Sequence, residues 1–353
     1  MDILQTVEPV QDKAPVVIIG AGGIVRDAHL PAYAKAGFAV KGIYDLQLEK
    51  AQTLAGLFPA IGHVYPSIEA LIENNAGSDV VYDVAVPADQ LAALLNKLPH
   101  GAAVLMQKPM GETLAEAEAI FRICQDKDLA AAVNFQLKYA PCMIAARDLV
   151  ARGVIGSLYD VELMVCVYTP WHLWDFLKHK PRLEILYHSI HYLDLIRSLL
   201  GLPEKVYAST VRHPYFEAYA PTRSTMILDY DDHTQARVIT NHGHDFGPDK
   251  MQSYLKLEGT GGAIYIQIGV SLDYPKGKPD RFEFVSKAHT GGQWTTVPLE
   301  GTWFPDAFIG PMTEVQRLRN KRSDRQAMLE GDLETMKLVE TAYRSSEVGG
   351  FRP

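Results

Sequence analysis

Over residues 1–135, short apolar runs alternate with helical patterns, and this alternation constrains the fold more than any other feature. PVVIIG (15–20) is continuously apolar and ends in glycines, as suits a strand buried on both faces. A helical pattern over 24–36 stops at Gly37, and FAVKGIYD (38–45) is the next apolar run. An Ala/Leu-rich helix (47–57) follows, then HVY, the helix SIEALIENN and the strand DVVYDVAVP. The helix ADQLAALLNKL, the strand AAVLMQKP, the helix TLAEAEAIFRICQDK and the run LAAAVNF complete the series. Such repetition predicts a doubly wound parallel sheet.

The second half reads differently. A helix over 141–152 ends at Gly153, the strand LYDVELMVCVY follows, and an irregular stretch (169–184) leads into the helix ILYHSIHYLDLIRSLLG. Six β-rich pieces come next, KVYASTVR, STMILDY, QARVITN, SYLKLEG, GAIYIQIG and RFEFVS, with a hairpin turn at 230–233. Strands in succession without intervening helices predict an antiparallel sheet. Residues 307–346 are helical again, and the chain carries neither an internal repeat nor a low-complexity linker.

A chain of 353 residues has room for about two domains. The expected boundary separates the parallel-sheet domain over 1–135 from a second domain over 136–353, with the last helices free to pack back on the first. Hydrophobic residues at 47% and charged ones at 22% exclude a mainly disordered chain. The net charge of −8 argues against a nucleic-acid partner, and the one tight basic cluster, Arg317, Arg319, Lys321 and Arg322, reads as a solvated helix face. Three cysteines, Cys124, Cys142 and Cys166, form no CxxC pair, which is a reducing-compartment pattern. The opening MDILQTVEPVQDKAP lacks the apolar stretch of a signal peptide, and no window is long and apolar enough for a membrane span. The expectation is a cytoplasmic protein with no membrane partner.

Gly20-Ala21-Gly22-Gly23-Ile24 follows a buried strand and opens a helix, the context in which a glycine fingerprint carries meaning. Gly20 permits the tight turn, and Gly22 lets backbone approach a pyrophosphate held at the helix N-terminus. Val25 stands where the third glycine of GxGxxG is usual. Asp45, at the end of the second expected strand, can accept hydrogen bonds from the ribose hydroxyls of an adenosine and would repel a 2′-phosphate. NAD is therefore favoured over NADP. Asp45 can also cap the helix that follows.

The order of motifs resembles the Gfo/Idh/MocA family of NAD(P)-dependent oxidoreductases, over most of the chain. GAGGIVRDAHLPAY resembles its opening glycine loop with a downstream His-x-Pro (His29, Pro31). VAVPADQ is similar to its cofactor-packing loop, which implies that Val86, Pro87 and Gln90 touch the cofactor, with Gln90 replacing a common histidine. MQKPMGETLAEAEAI resembles the Glu-Lys-Pro signature, with Gln107 in place of Glu and Lys108 and Pro109 kept. QLKYAP is similar to Arg-Phe-x-Pro through Lys138, Tyr139 and Pro141; GVIGSLYDVEL resembles Gly-x-Ile-Gly. YHSIHYLD resembles Asp-x-Gly-x-His-x-x-Asp, with His191 and Asp194 matching, Tyr187 in place of the aspartate and Ser189 in place of the glycine. The family implies a Rossmann domain followed by an α/β domain with a large, open, mostly antiparallel sheet. It also implies sugar or cyclic-polyol substrates and a homodimer or homotetramer covering the open sheet.

Oxidising a carbinol requires a base within hydrogen-bond reach of the hydroxyl. Lys108, just beyond a buried strand, is the first candidate, since desolvation and a cationic neighbour lower a lysine pKa. His191 is the second, as base or proton relay. His188, His191 and Asp194 are spaced three apart and so share one helix face, and Tyr187, four before His191, lies on nearly the same face. Tyr187 can bind the reacting hydroxyl through its phenol, His188 can face substrate or pack on the preceding loop, and Asp194 can orient the imidazole or bind substrate. Trp171, His172, Trp174 and Asp175 after a strand can stack on and hydrogen-bond a sugar, or Trp171 and Trp174 can pin a long loop. Trp303 has the same ambiguity, and Lys138, Lys178 and Arg182 can meet an anionic substituent. His188, His191, Asp194, His242 and His244 look ligand-rich, but the cofactor reading accounts for more of the sequence, so no metal is expected.

The leading expectation is an NAD-dependent dehydrogenase of a sugar, sugar derivative or cyclic polyol. NAD-assisted glycoside cleavage through transient oxidation is a second, and a non-catalytic NAD-binding regulator a third.

Overall fold

A computed structural model describes residues 1–274 and 276–350. The chain divides into two compact units. The first holds Val7–Tyr139 and Phe304–Met336, and the second holds Met1–Thr6, Ala140–Trp303 and the chain from Lys337.

In the first unit β1 (Val16–Ile19), β2 (Val40–Tyr44), β3 (Val81–Val84), β4 (Ala103–Met106) and β5 (Ala130–Val133) form one sheet in the order β2-β1-β3-β4-β5. Every pairing is parallel. All four residues of β1, β3, β4 and β5 are buried, which is why these segments read as unbroken apolar runs. HVY is reduced to a single parallel bridge between Val64 and Ile43 on the outer side of β2. Pro66 follows at once and offers no N–H to extend the ladder.

The connections are helical. The chain passes from a π-helical turn (Val25–His29) into α1 (Leu30–Ala36), then through α2 (Leu48–Leu57), α3 (Ile68–Asn74), α4 (Leu91–Lys97) and α5 (Leu114–Asp126). Thr113 caps α5 by accepting from the Glu116 amide (3.2 Å), while Glu116 accepts from the Glu112 amide (2.6 Å).

The second unit opens with α6 (Pro141–Ala151) and β6 (Leu158–Cys166). A π-helical turn (Glu184–Ser189) then runs into α7 (Ile190–Leu200). Next come β7 (Lys205–Val211), β8 (Arg223–Asp229), β9 (Gln235–Asn241), β10 (Gln252–Gly259), β11 (Gly262–Gln267), β12 (Arg281–Ser286) and β13 (Thr295–Val297). They form an eight-stranded sheet in the order β13-β12-β11-β10-β6-β9-β8-β7.

Six of the seven neighbouring pairs are antiparallel; β6 and β9 are parallel. Succession in the sequence constrains consecutive strands only, and these two are separated by α7 and a hairpin. β13 is short and half-exposed, with no apolar alternation to announce it. On one sheet face Val161, Leu163, Met226, Val238, Leu255 and Ile264 are buried. On the other, Arg237 grips Asp160 through two hydrogen bonds of 2.8 Å and Tyr254 donates to Glu162 (2.7 Å).

The C-terminal helices α8 (Ile309–Asn320) and α9 (Arg322–Val348) change the domain boundaries. Residues 136–353 are not one continuous unit, because Phe304–Met336 belongs to the first. Met312, Val315 and Leu318 of α8 are buried in the first unit's core with Ile18, Val81 and Leu105. The basic cluster is likewise not simply a solvated face. The Arg319 side chain is only 8% exposed and pairs with Asp12 (2.6 Å) and Asp79. Arg317 pairs with Glu314 (2.7 Å), and Arg322 with Asp128.

Candidate functional site

The loop after β1 is built for close backbone approach. Gly20 has φ +111, and a Cβ there would lie 2.3 Å from the Ala85 carbonyl oxygen, so only glycine fits. Its amide donates to Tyr44 O (2.7 Å), tying the loop to the end of β2. A Cβ on Gly22 would meet no protein atom within 4 Å, so the outer side of the loop is an open cradle. Gly22 and Gly23 are exposed, Ile24 is half-buried, and Val25 is fully buried in the core, where a third glycine would leave a hole.

Asp45 holds two backbone groups at once. Its Oδ2 accepts from the Ala21 amide (2.7 Å) and its Oδ1 from the Gln47 amide, just before α2 (2.8 Å). Val86 is half-buried and Pro87 and Gln90 are exposed, in the turn after β3.

Lys108 follows β4 by two residues and is half-buried. Burial lowers its pKa from 10.5 to about 8. The preceding Gln107 donates its amide to Val84 O (2.9 Å) and accepts at Oε1 from Asn134 (3.1 Å). Behind it lies a buried polar network that the sequence reading did not single out. Asp83 Oδ2 accepts from Tyr33 (2.7 Å) and bonds His29 Nδ1 (2.7 Å), while Asn134 reaches His29 Nε2 (3.2 Å). Burial together with the Asp83 charge pushes the Tyr33 phenol well above its ordinary value. The available signal was a charge inside an apolar run, Asp83 within DVVYDVAV. Lys138 is buried at 8% exposure, its ammonium 5.6 Å from the Tyr139 ring centroid.

In the second unit the π-helical turn carries Tyr187 and His188, and α7 carries His191 and Asp194. His191 is 6% exposed and stands edge-on to Trp303, with centroids 6.0 Å apart. His188 is half-buried and faces His242 instead (4.1 Å). Tyr187 packs against Phe176 (6.0 Å) in a small core with Trp171, Leu177 and Leu183. Asp194 is fully buried and bonds Arg197 (3.3 Å).

Trp171 is 4% exposed, Trp174 is half-buried and His172 is exposed. Arg182 and Lys178, read as open to an anionic substituent, are engaged by Glu340 (2.5 Å) and Asp175 (2.8 Å). His244 stands beside Phe246 (5.7 Å). Glu184, at the end of the irregular stretch, is fully buried beside His242. Burial pushes its carboxyl up, but the hydrogen bond and charge of His242, with hydrogen bonds from Ser189 and Ser224, outweigh this and hold it below the ordinary value.

Two family models match the chain. Residues 15–135 match the oxidoreductase family with an NAD-binding Rossmann fold, and residues 143–265 match the GFO/IDH/MocA C-terminal domain. The chain belongs to the GFO/IDH/MocA oxidoreductase family. Its first unit is therefore an NAD-binding Rossmann fold, and the glycine cradle and Asp45 suit that cofactor. D-xylose 1-dehydrogenase (NADP(+)) 2 from Haloferax volcanii is 24% identical over 339 residues, 94% of this chain and 97% of that protein. The fold is similar to that of an oxidoreductase from Agrobacterium radiobacter in complex with NAD+, L-tartaric acid and magnesium (TM-score 0.73, 21% identity, covering 95% and 97% of the two chains). It is also similar to that of aldose-aldose oxidoreductase from Caulobacter crescentus complexed with glycerol (TM-score 0.76, 17% identity, covering 96% and 99%). Within the GFO/IDH/MocA pattern this member carries Gln107 and Tyr187 where the motif has acids.

Proposed function

We propose that this protein is an NAD-dependent dehydrogenase that oxidises a secondary or anomeric hydroxyl of a sugar, sugar derivative or cyclic polyol to the carbonyl. The carrying observation is Lys108, at the C-terminal edge of the parallel sheet with its pKa lowered to about 8 by burial. Near that pKa the amine accepts the hydroxyl proton as the C–H bond breaks. Bound NAD supplies the hydride acceptor.

The buried chain from Asp83 through His29 and Asn134 ends on Gln107 and orients the backbone that carries Lys108. His191, edge-on to Trp303, is the second candidate for moving the proton. Asp45 supports NAD over NADP, because a 2′-phosphate beside its carboxylate is repelled. The relative from Haloferax, named as a xylose dehydrogenase, supports the sugar class.

The half-buried, mixed-polarity sheet face around Arg237, Glu162 and Tyr254 suits cover by a second copy, giving a homodimer or homotetramer. The three free thiols suit the reducing cytoplasm, and no described helix is long and apolar enough to cross a membrane. The arginines of the basic cluster face carboxylates, so no nucleic-acid partner is proposed.

The test is a screen of free sugars, polyols, sugar acids and glycosides for NADH formation. Stoichiometric NADH from a free sugar or polyol supports the proposal. Glycoside turnover without net NADH, or tight NAD binding without turnover of any of these, overturns it.

A further inference from the structure

Glu184, His188 and His242 come together inside the second unit, and each offers one ligand atom within 4.8 Å of the others. Among the described residues this is the one such His/Cys/Asp/Glu group. It differs from the ligand-rich set suggested by spacing, for it omits His191, Asp194 and His244 and adds a carboxylate from the π-helical turn.

Three features set it apart from an ordinary buried hydrogen-bonded cluster. Glu184 is 1% exposed, and its Oε2 has no hydrogen bond of ordinary geometry, although the Ser224 hydroxyl lies near enough to help hold the charged form. A half-satisfied buried carboxylate is costly unless positive charge lies beside it.

Next, His242 Nε2 stands 3.4 Å from Glu184 Oε1. That is long for a charge-assisted N–H···O bond, which spans about 2.7–2.9 Å. It matches the spacing of two ligand atoms on one tetrahedral ion, roughly 3.3–3.5 Å for bonds of about 2.0–2.2 Å.

Finally, the supporting contacts are those of a metal centre. Thr169 Oγ1 holds His242 Nδ1 (2.8 Å), which turns Nε2 toward the cluster, and Ser189 donates to Glu184 Oε1 (2.5 Å). His188 is half-buried and its two partners are buried.

We propose that Glu184, His188 and His242 bind one divalent d-block cation of the zinc type. Two imidazoles and one carboxylate form a zinc donor set with an open fourth position. One ion between the two imidazoles, whose ring centroids are 4.1 Å apart, would take a nitrogen from each and meet the carboxylate charge. Metal binding is read without turnover, so its failure is distinct from a failure of the dehydrogenase reading.

The experiment loads the chelator-stripped full chain with Co2+, follows the visible d–d absorption, and then displaces Co2+ with Zn2+. The expected result is one equivalent per chain with a tetrahedral spectrum. Affinity should fall by roughly 100-fold or more in Glu184→Gln and His188→Ala, and by about 10–100-fold in Thr169→Val. His244→Ala, outside the cluster, should bind as the parent does, and thermal melts should show that the half-buried His188→Ala variant folds. Absence of a stoichiometric spectrum in the parent overturns the proposal. So does a spectrum that persists unchanged in both Glu184→Gln and His188→Ala.

Discussion

Asp45 accepts the Ala21 amide at 2.7 Å, so the carboxylate at the end of β2 holds the glycine loop at the end of β1. The same side chain accepts the Gln47 amide (2.8 Å). One residue thus shapes the loop, starts the next helical segment and presents negative charge where an adenosine ribose is expected.

Asp45→Ala should weaken NAD binding by at least about tenfold, roughly 1.4 kcal/mol, and narrow the preference for NAD over NADP. Titrations monitored by tryptophan fluorescence check this. Unchanged affinities for both cofactors would remove Asp45 from the cofactor site.

Lys108 sets the expected pH dependence. Its charged form is disfavoured by burial, so the folded protein releases the proton near pH 8, below the ordinary 10.5. The free amine accumulates as pH rises, and kcat/KM for oxidation should climb through about 8 and then level off. Lys108→Arg stays charged, so it should lose the inflection and about 10²–10⁴-fold of the rate. For stability, the unfolded chain keeps this proton longer than the folded one, so the residue's contribution rises with pH between about 8 and 10.5. An initial-rate profile flat through pH 8 would separate Lys108 from the chemistry.

Tyr33 and His29 share one oxygen of Asp83, and all three are buried. Tyr33→Phe removes one donor from a desolvated carboxylate and should cost about 1–3 kcal/mol, seen as a lower urea midpoint with an unchanged slope. Asp83→Asn should also loosen Gln107 through Asn134, lowering kcat more than it raises KM.

Arg319, nearly buried between Asp12 and Asp79, is a structural clamp. Arg319→Gln should destabilise the fold by about 1–3 kcal/mol without affecting polyanions. Heparin retention that drops in the variant would contradict this reading.

Much of the first unit was legible because each buried parallel strand writes an unbroken apolar run, and each helix its own period. PVVIIG, the glycine cradle, Asp45 and Lys108 all lie where local pattern places them. HVY was legible as extended chain, but its reduction to one bridge depended on the proline after it.

Sequence alone determined the order of elements, the family pattern and the cofactor loop, since each depends on residues near one another in the chain. Tertiary structure decided the parallel pairing of β6 with β9 and the return of Phe304–Met336 to the first unit. It also decided the neighbours of the histidines: His188 meets His242, and His191 meets Trp303. His242 lies 54 residues beyond His188, and no count of spacings along the chain reports a contact at that range. Glu184 and His242 meet across 58 positions because a helix turn and a strand end pack together. Packing of that kind depends on the whole second unit.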